Sequence, residues 1–311
     1  MQQKQRFDKL QQYVSGKIIG QTELVNRLLV AMLADGHLLV EGAPGLAKTR
    51  AIQVLSEAVE GDFHRVQFTP DLLPADITGT EIFQPQTGEF EFRKGPLFHN
   101  LVLADEINRA PAKVQSALLE AMEEGRVSVD GVTHQLPEPF FVIATQNPMS
   151  HAGTYPLPES QLDRFMMRLS LGFPNIDAER QILQSLASHR DMPTIDAFLD
   201  TEQLRAIQQH IASISVAPAI VDYVIALCRI SRQYETQAKA LSPRAGKALI
   251  AAAKSWAFME NRDYVIPDDI QAVFSAVCEH RLAPQQHHIF DEANELSQQI
   301  LSQVDPINPL P

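Results

Sequence analysis

The sequence predicts an α/β domain built on a mostly parallel sheet, followed by a separate all-α domain. Over the first 170 residues, short apolar runs alternate with stretches of helical periodicity, as in a parallel sheet covered by helices. After the sequence GFP at residues 172–174, apolar residues recur only at helical spacing. We therefore predict one domain over residues 1–173 and a second over residues 174–311, close to the usual ~150 residues per domain.

Five short apolar runs are predicted to form the sheet, at residues 37–41, 64–68, 101–104, 140–145 and 167–171. Uninterrupted sequences such as LVLA and FFVIA suit strands that are buried on both faces. Residues 81–92 and 126–136 instead alternate about a turn, and the second segment contains Asp130-Gly131, a strong signal for a type I′ turn. Both segments predict β-hairpins that project from the parallel core.

Helices account for the whole of the second domain. The predicted helices cover residues 177–190, 201–214, 218–234, 243–261, 267–282 and a last stretch near 295–304. Several begin with a cap residue or with a proline in the first turn, for example Ser242-Pro243.

Charge and hydropathy exclude several classes of protein. A net charge of −12 disfavours a large surface that neutralises phosphates, so we do not expect nucleic acid as a partner, although a local basic channel stays open. No stretch approaches the ~18 apolar residues of a membrane-spanning helix. The first ten residues lack the apolar core of a signal peptide. We therefore expect a cytoplasmic protein without a membrane span.

The cysteines and the histidines near the chain end give no case for a metal site. Cys228 and Cys278 lie in apolar helical stretches and are expected to be buried thiols in a reducing compartment. His280, His287 and His288 lack cysteine or carboxylate neighbours at metal-ligand spacing, so we expect them at the surface.

A strand, a loop of small residues and a helix follow one another over residues 37–59. The loop reads GAPGLAKT and differs from the pattern G-x-x-x-x-G-K-[ST] at one position, where Ala47 replaces the last glycine. Small residues let backbone N–H groups curl around a β-phosphate, and the helix N-terminus adds its positive dipole end. Lys48 would reach the β- and γ-phosphates, and Thr49 would ligate Mg²⁺. The predicted nucleotide-binding residues of this segment are Gly42, Ala43, Pro44, Gly45, Leu46, Ala47, Lys48, Thr49 and Arg50.

Polar residues follow two later strands of the predicted sheet. Asp105 and Glu106 come directly after LVLA, at the strand end where open α/β sheets bind ligands. Asp105 suits the Mg²⁺ shell, and Glu106 suits polarising an attacking water. Asn147, beyond FFVIATQ, could hydrogen-bond the γ-phosphate or the water. A solvated strand end and a cap before Pro148 are the alternatives, which the upstream phosphate loop disfavours.

Together these motifs resemble the AAA+ ATPases, and specifically the MoxR family. The matching segments are GAPGLAKT (Walker A), LADEINRAP (Walker B), ATQNP (sensor 1) and LPESQLDRF, and the resemblance covers essentially the whole chain. It implies a P-loop core with five strands in the order 5-1-4-3-2, two hairpins of the helix-2-insert branch and an α-helical lid. It also implies Mg²⁺-dependent hydrolysis of ATP to ADP in a ring, usually a hexamer, with ATP bound between subunits.

The resemblance also implies roles for residues outside these motifs. Ile19, Gly20 and Gln21 match the segment beside the adenine. Arg109 follows the acidic pair Asp105-Glu106. It lies either at the subunit interface or at the nucleotide, and the resemblance leaves both alternatives open.

Two further arginines match family residues: one matches a catalytic arginine finger, and the other matches a nucleotide-binding sensor 2 residue that acts either in cis or in trans. Arg164, in LDRF, matches the arginine finger, which reaches into the site of a neighbouring subunit and completes the catalytic set of Lys48, Glu106 and Asn147. Arg244, in SPRAG, matches the sensor 2 arginine of the lid. The alternatives are a surface ion pair with Asp163 or Glu159 for the first, and a solvated charge for the second.

The favoured function is a chaperone-like motor that remodels a partner protein or complex. The resemblance implies a partner with a von Willebrand factor A domain, which links such an ATPase to its client. The first hairpin carries Phe83 and Phe90 among acidic residues with few cations, which favours contact with protein over nucleic acid. The alternatives are a magnesium-chelatase-like motor subunit, a nucleotide-gated scaffold with little turnover, and a nucleic-acid translocase.

Overall fold

Strands and helices alternate through the first half of the chain, and helices follow alone. The computed structural model describes residues 2–42, 48–146, 154–187, 197–234, 240–283 and 295–309. The helices are α1 (Gln2–Lys17), α2 (Thr22–Leu33), α3 (Lys48–Ala58), α4 (Pro74–Thr78), α5 (Ala112–Glu124), α6 (Glu159–Leu162), α7 (Ile176–Ala187), α8 (Thr201–Ala212), α9 (Pro218–Ser231), α10 (Pro243–Met259), α11 (Pro267–Leu282) and α12 (Glu295–Ser302). The strands are β1 (Leu38–Gly42), β2 (Phe63–Gln67), β3 (Gly79–Gln84), β4 (Glu89–Lys94), β5 (Leu101–Asp105), β6 (Arg126–Val129), β7 (Val132–Gln135), β8 (Phe141–Gln146) and β9 (Met167–Leu171).

The parallel sheet has the predicted topology. Its five strands lie in the order β2-β5-β8-β1-β9. Numbered along the chain as sheet strands, this order is 2-3-4-1-5, which is the predicted 5-1-4-3-2 viewed from the other side. The predicted strands agree with the observed ones to within one residue at either end.

The sheet is buried on both faces because consecutive side chains point to opposite sides. Leu39, Val102 and Ala144 pack in one apolar cluster with helix α5. Leu38 and Ile143 belong to a second cluster, which includes helices α1, α2 and α3 and the C-terminal helices. Every residue of β5 and β8 is buried, which confirms the interpretation of their uninterrupted apolar sequences.

Two antiparallel hairpins interrupt the parallel core, as predicted. The pair β3–β4 aligns Phe83 with Phe90, and the pair β6–β7 is joined by Asp130 and Gly131. Both turn residues have positive φ (49° and 83°), as a type I′ turn requires. The hairpins contact each other where the ring of Phe92 stacks on His134, with 3.8 Å between centroids.

The C-terminal helices pack directly on the sheet domain. Helix α11 contacts β9, and α10 contacts α2 as well as α8, α9 and α11. The N-terminal helix α1 adds a further link, since Lys4 Nζ donates to the carbonyl of Met259 in α10 at 3.0 Å. One apolar core therefore continues across the predicted domain boundary after residue 173, which stays a prediction.

The structure corrects one expectation about the histidines and confirms one about the cysteines. His280 is buried in α11, with 1% of its surface exposed, because its polar-looking end of the helix packs against the segment before β9. His287 and His288 lie outside the described residues. Cys228 and Cys278 are buried free thiols. No helix within the described residues is long and apolar enough to cross a membrane.

Candidate functional site

The carboxyl ends of β1, β5 and β8 form one edge of the sheet, which we call the nucleotide edge. Lys48 is the first residue of α3 and is buried there, and its Nζ donates to the carbonyl of Gly42, the last residue of β1, at 2.7 Å. Thr49 follows, half-buried. The predicted residues Ala43, Pro44, Gly45, Leu46 and Ala47 lie outside the described residues, as does Asn147.

Asp105 ends β5 at the same edge, and both of its carboxylate oxygens have donors. Oδ1 accepts from the hydroxyl of Thr145 in β8 at 2.5 Å. Oδ2 accepts from Nη2 of Arg65 in β2 at 2.6 Å. Asp105 is itself buried, so a carboxylate of fixed orientation lies at this edge, with β8 between its strand and β1.

Glu106 begins the turn after β5 with a left-handed backbone, at φ 57° and ψ 49°. This conformation costs a residue with a side chain on the order of 1 kcal/mol or more. Its N–H donates to the hydroxyl oxygen of Thr145 at 2.9 Å, so one threonine orients both acids. Oε2 accepts from Gln67 Nε2 and from Arg109 Nη1, each at 3.0 Å. Arg109 therefore contacts Glu106 of its own chain.

Burial and nearby carboxylates act in opposite directions on Lys48. Burial lowers the pKa of its ammonium group, while Asp105, Glu106 and Glu41 raise it. An anionic ligand beside Lys48 would add to the second effect, because an opposite charge favours the protonated form. The arrangement suits phosphate binding.

The donor set at this edge fits Mg²⁺ held together with a nucleotide. The Thr49 hydroxyl and the Asp105 carboxylate offer hard oxygen ligands. Mg²⁺ commonly takes only one or two protein ligands and completes its shell with phosphates and water. Among the described residues, no cluster of three or more His, Cys, Asp or Glu side chains could hold a metal alone.

The predicted adenine-side segment lies beside the same edge. Gln21 Nε2 donates to the carbonyl of Gly172 at 3.2 Å, directly after β9, whose last residue pairs with Gly42. Gly20 has φ 77°, and a Cβ atom there would lie 2.5 Å from Cβ of Ala178, so a glycine is required. Ile19 between α1 and α2 is half-buried. Arg50 is exposed and lies 4.0 Å from Glu57 on its own helix.

Arg164 and Arg244 lie together at the opposite edge of the sheet, which we call the finger edge. Nε of Arg164 lies 3.3 Å from Oε2 of Glu123, near the end of α5. Arg244, at the start of α10, pairs with the same Glu123 and lies 3.5 Å from Asp163. Arg164 thus pairs with Glu123 rather than with either carboxylate named in the alternative. Together with Arg281 these side chains line a cleft of about 300 Å³.

The two edges are separated by the length of a strand. The N–H of Met166, two residues after Arg164, donates to the carbonyl of His37 just before β1. Lys48 instead bonds Gly42 at the end of β1. These two anchor points are five residues apart, about 16 Å at the rise of a strand. Arg164 and Arg244 therefore lie far from Lys48 and Asp105 of the same chain.

Several site residues are visible only in the structure. Arg65 and Gln67 alternate along β2 and contact Asp105 and Glu106 in turn. Their spacing of two and the strand order 5-1-4-3-2 together could have indicated this face, since β2 neighbours β5. The position of Arg281, which binds Asp163 from α11, has no local sequence signal.

Comparisons with known proteins cover both halves of the chain. The family described as "ATPase family associated with various cellular activities (AAA)" matches residues 37–167, and "AAA lid domain" matches residues 230–303. The crystal structure of a protein from Cytophaga hutchinsonii assigned as an ATPase has a TM-score of 0.87 and 36% identity, covering 97% of this chain and 95% of that chain.

Relatives of known sequence extend over most of the chain. It is 41% identical to the Bacillus subtilis protein YeaC, over 95% of this chain and 93% of that protein. It is 45% identical to the Mycobacterium tuberculosis protein called Chaperone MoxR1, over 88% of this chain and 75% of that protein. With this identity over most of both chains, and with the AAA domain and the lid both matched, the chain belongs to the MoxR family of AAA+ ATPases.

Proposed function

We propose that this ATPase hydrolyses ATP at sites shared between neighbouring subunits of a ring, usually a hexamer in this class. The separation of the nucleotide edge from the finger edge carries the proposal. Lys48 bonds Gly42 at the carboxyl end of β1, and the segment of Arg164 is anchored on His37 before β1, five residues or about 16 Å along the strand. A head-to-tail ring brings the finger edge of one subunit to the nucleotide edge of the next.

The residues of the nucleotide edge take the part of the reaction within one subunit. Lys48 contributes a buried positive charge toward the β- and γ-phosphates, and Thr49 and Asp105 would hold Mg²⁺. Bound Mg²⁺ supplies Lewis-acid stabilisation of charge on the phosphate oxygens. Glu106 accepts a proton from the attacking water, and Asn147 orients that water or the γ-phosphate.

The residues of the finger edge act on the neighbouring subunit. Arg164 stabilises charge on the transferring phosphoryl group, as arginine fingers do. Arg244 pairs with Glu123, as Arg164 does, so both guanidinium groups lie on the same side of the subunit. We therefore assign Arg244 to the neighbour's nucleotide as well, in trans.

Mixing two inactive variants tests the shared site. Arg164→Ala subunits have an intact nucleotide edge, and Glu106→Gln subunits have an intact finger edge. A random ring of both contains complete sites at about a quarter of its interfaces, so phosphate release should return on mixing. Wild-type specific activity should also rise with protein concentration. A mixture that stays inactive, or a monomer with full activity, would exclude the shared site.

We further propose that hydrolysis drives remodelling of a partner protein. The relative called Chaperone MoxR1 supports a role of this class. At the β3–β4 hairpin, the rings of Phe83 and Phe90 lie 5.3 Å apart with half or more of each side chain exposed. Family membership also supports a partner with a von Willebrand factor A domain that links the ring to its client.

A stalled assembly tests the remodelling proposal. A Glu106→Gln ring should bind ATP without hydrolysing it and should retain a partner with a von Willebrand factor A domain in a pull-down. The matched bait is Lys48→Ala, which should not bind ATP tightly and should lose the partner. Equal retention by both baits would show that capture does not depend on the nucleotide. A wild-type protein without steady-state phosphate release would instead favour the scaffold alternative.

A further inference from the structure

Arg281, in the last turn of α11, is buried at the finger edge with all of its hydrogen-bond donors used. Its side chain is only 5% exposed. Nε donates to Oδ1 of Asp163 at 2.6 Å, and Nη1 donates to the carbonyls of Met166 (3.1 Å) and Val277. Nη2 donates to the carbonyls of Asp163 (3.2 Å) and Phe165 (2.8 Å). A guanidinium group has five N–H donors, so each of them has a partner here.

Four of these five bonds end on residues 163–166, which we call the finger segment because Arg164 lies within it. The neighbouring His280 also bonds this segment, with Nε2 at 3.3 Å from the carbonyl of Phe165. Two consecutive side chains of α11 therefore fasten a connection between α6 and β9. Helix α11 lies within the matched lid domain.

The side chain of Arg164 takes no part in these bonds to Arg281. It is 31% exposed and pairs with Glu123 of α5. The backbone on either side of it is held by Arg281, and the N–H of Met166 donates to the carbonyl of His37 at 2.9 Å. The finger segment thus has a backbone held by Arg281 and His37, while the Arg164 side chain is partly exposed.

We propose that Arg281 is a positioning residue for ATP hydrolysis, holding the finger segment of its own subunit so that Arg164 reaches the nucleotide of the neighbouring subunit. The inference rests on the proposed shared site and adds that a lid helix sets the position of the finger. Asp163 links the two lid arginines, because Arg281 and Arg244 both contact its carboxylate. The lid therefore meets the finger at the residue next to Arg164.

Kinetics of Arg281→Gln test this role. Misplacing a catalytic group by about 1 Å can cost on the order of 10²-fold in rate, so we expect kcat to fall by about that factor. The KM for ATP and the affinity for a fluorescent ATP analogue should not change, because the nucleotide edge is intact. The double variant with Arg164→Ala should be no slower than Arg164→Ala alone, since Arg281 acts only through that residue. A full additional loss in the double variant would contradict the proposal.

Mixed rings separate positioning from damage to the fold. Arg281→Gln subunits lack only a positioned finger, so mixing them with Glu106→Gln subunits should restore phosphate release. The mixture of Arg164→Ala with Glu106→Gln is run in parallel. If that mixture recovers and the Arg281→Gln mixture does not, the positioning role is wrong while the shared site stands. If neither recovers, the shared site is wrong and the positioning role falls with it.

Arg27→Gln is the matched control, since it removes another buried arginine that fastens α11. Arg27 in α2 has a side chain that is 8% exposed, and it donates to the carbonyl of Ala272 in α11 at 2.7 Å. Its loss should lower thermal stability and leave kcat unchanged. If kcat of Arg27→Gln falls as much as that of Arg281→Gln, the loss in both variants comes from a loosened lid and not from a misplaced finger.

Asp163→Asn gives the same test with the buried arginine kept. It removes the charge that Nε of Arg281 binds and preserves the bonds to the backbone carbonyls. We expect a smaller fall in kcat than for Arg281→Gln, an unchanged KM, and recovery on mixing with Glu106→Gln subunits. Wild-type kcat in a folded Asp163→Asn ring would overturn the role of the Arg281–Asp163 contact.

Discussion

The nucleotide edge and the finger edge of the sheet are built in different ways. At the nucleotide edge, neighbouring strand ends supply the side chains, and Thr145 of β8 orients Asp105 at the end of β5 and Glu106 directly after it. At the finger edge, Arg164 pairs with α5, while its backbone is held by Arg281 of α11. The first arrangement depends on strand register, and the second depends on how the lid docks. Half of the proposed catalytic apparatus is therefore fixed by the sheet and half by the lid.

The charges at the finger edge suit a role toward another molecule. Three arginines, Arg164, Arg244 and Arg281, meet two carboxylates, those of Glu123 and Asp163. This cluster of ion pairs thus carries one net positive charge. The nucleotide edge, by contrast, surrounds the buried Lys48 with several acids of its own chain. One guanidinium charge of the cluster is therefore not balanced within it.

Arg164→Ala should have the largest effect on turnover, and it tests directly whether the two edges have separate roles. Loss of an arginine finger lowers kcat by roughly 10³-fold or more. Binding of an ATP analogue should be unchanged, because the nucleotide edge of the same chain is untouched. Steady-state phosphate release and analogue titration measure the two quantities.

Arg180→Ala is the control for this variant. Arg180 is exposed and, within the described part of the chain, pairs with Asp177 of its own helix at 2.5 Å, so its loss should leave turnover unchanged. Weakened analogue binding in Arg164→Ala would mean that the two edges are not independent within a chain.

Glu106→Gln should give the next largest loss. An amide can hold a water but cannot accept its proton, and general bases contribute about 10²–10⁴-fold. Nucleotide binding should persist in this variant. Lys48→Ala should instead abolish tight binding, because it removes the positive charge that contacts the phosphates. Turnover near wild type in Glu106→Gln would remove Glu106 from the role of base. Equilibrium binding and single-turnover hydrolysis distinguish the two variants.

The difference between the edges also explains what the sequence can predict. Asp105 and Glu106 come at the end of a strand whose uninterrupted apolar residues predict its burial, and Lys48 begins the helix after the loop that follows β1. Parallel strands end at a common edge, so their polar ends are expected to meet. The strand order follows from the family resemblance and agrees with the structure.

The finger edge could not be predicted as completely. Arg164 and Arg244 were identified by motif, but the motif does not reveal that they share Glu123. His280 and Arg281 belong to the polar sequence EHR near the end of α11 and look like surface positions. Their burial depends on how α11 docks against residues 163–166, and such long-range packing leaves no local pattern in the sequence.

The β3–β4 hairpin should have little effect at either edge. Phe83→Ser with Phe90→Ser should keep basal hydrolysis within about twofold, since surface substitutions usually change free energies by no more than about 0.5 kcal/mol. Stimulation or retention of a protein partner should be lost. Val132→Ser, exposed on the other hairpin, is the matched control and should retain the partner.

DNA should not stimulate hydrolysis at physiological salt. Strong, salt-sensitive stimulation by DNA would contradict the protein-remodelling proposal.

The smallest effect concerns acid stability, and its source lies at the finger edge. His37 is buried with both ring nitrogens used: Nε2 donates to the carbonyl of Met122, and Nδ1 accepts from the N–H of Val142, each at 3.1 Å. Protonating Nδ1 would turn an acceptor into a donor facing a donor. Burial lowers the pKa of His37 from 6.5 to about 4, and the bond to the Met122 carbonyl acts in the opposite direction. Burial also lowers the pKa of His280, so this residue contributes to acid sensitivity with the same sign as His37.

Because the pKa of His37 is lower in the folded chain, the unfolded chain binds more protons between pH 6.5 and pH 4. The free energy of unfolding should thus fall as the pH drops through that window, with His37 contributing about 2 kcal/mol between pH 7 and pH 5. His37→Gln should be less stable at pH 7 and should lose about that much less on acidification, as measured by urea unfolding at both pH values. His210→Gln, at an exposed position, should keep the wild-type dependence of stability on pH.

The carbonyl of His37 anchors Met166, so acid should weaken the finger edge before the nucleotide edge. Hydrolysis should therefore fail at a higher pH than ATP binding. Loss of both at the same pH would show that the two edges unfold as one unit.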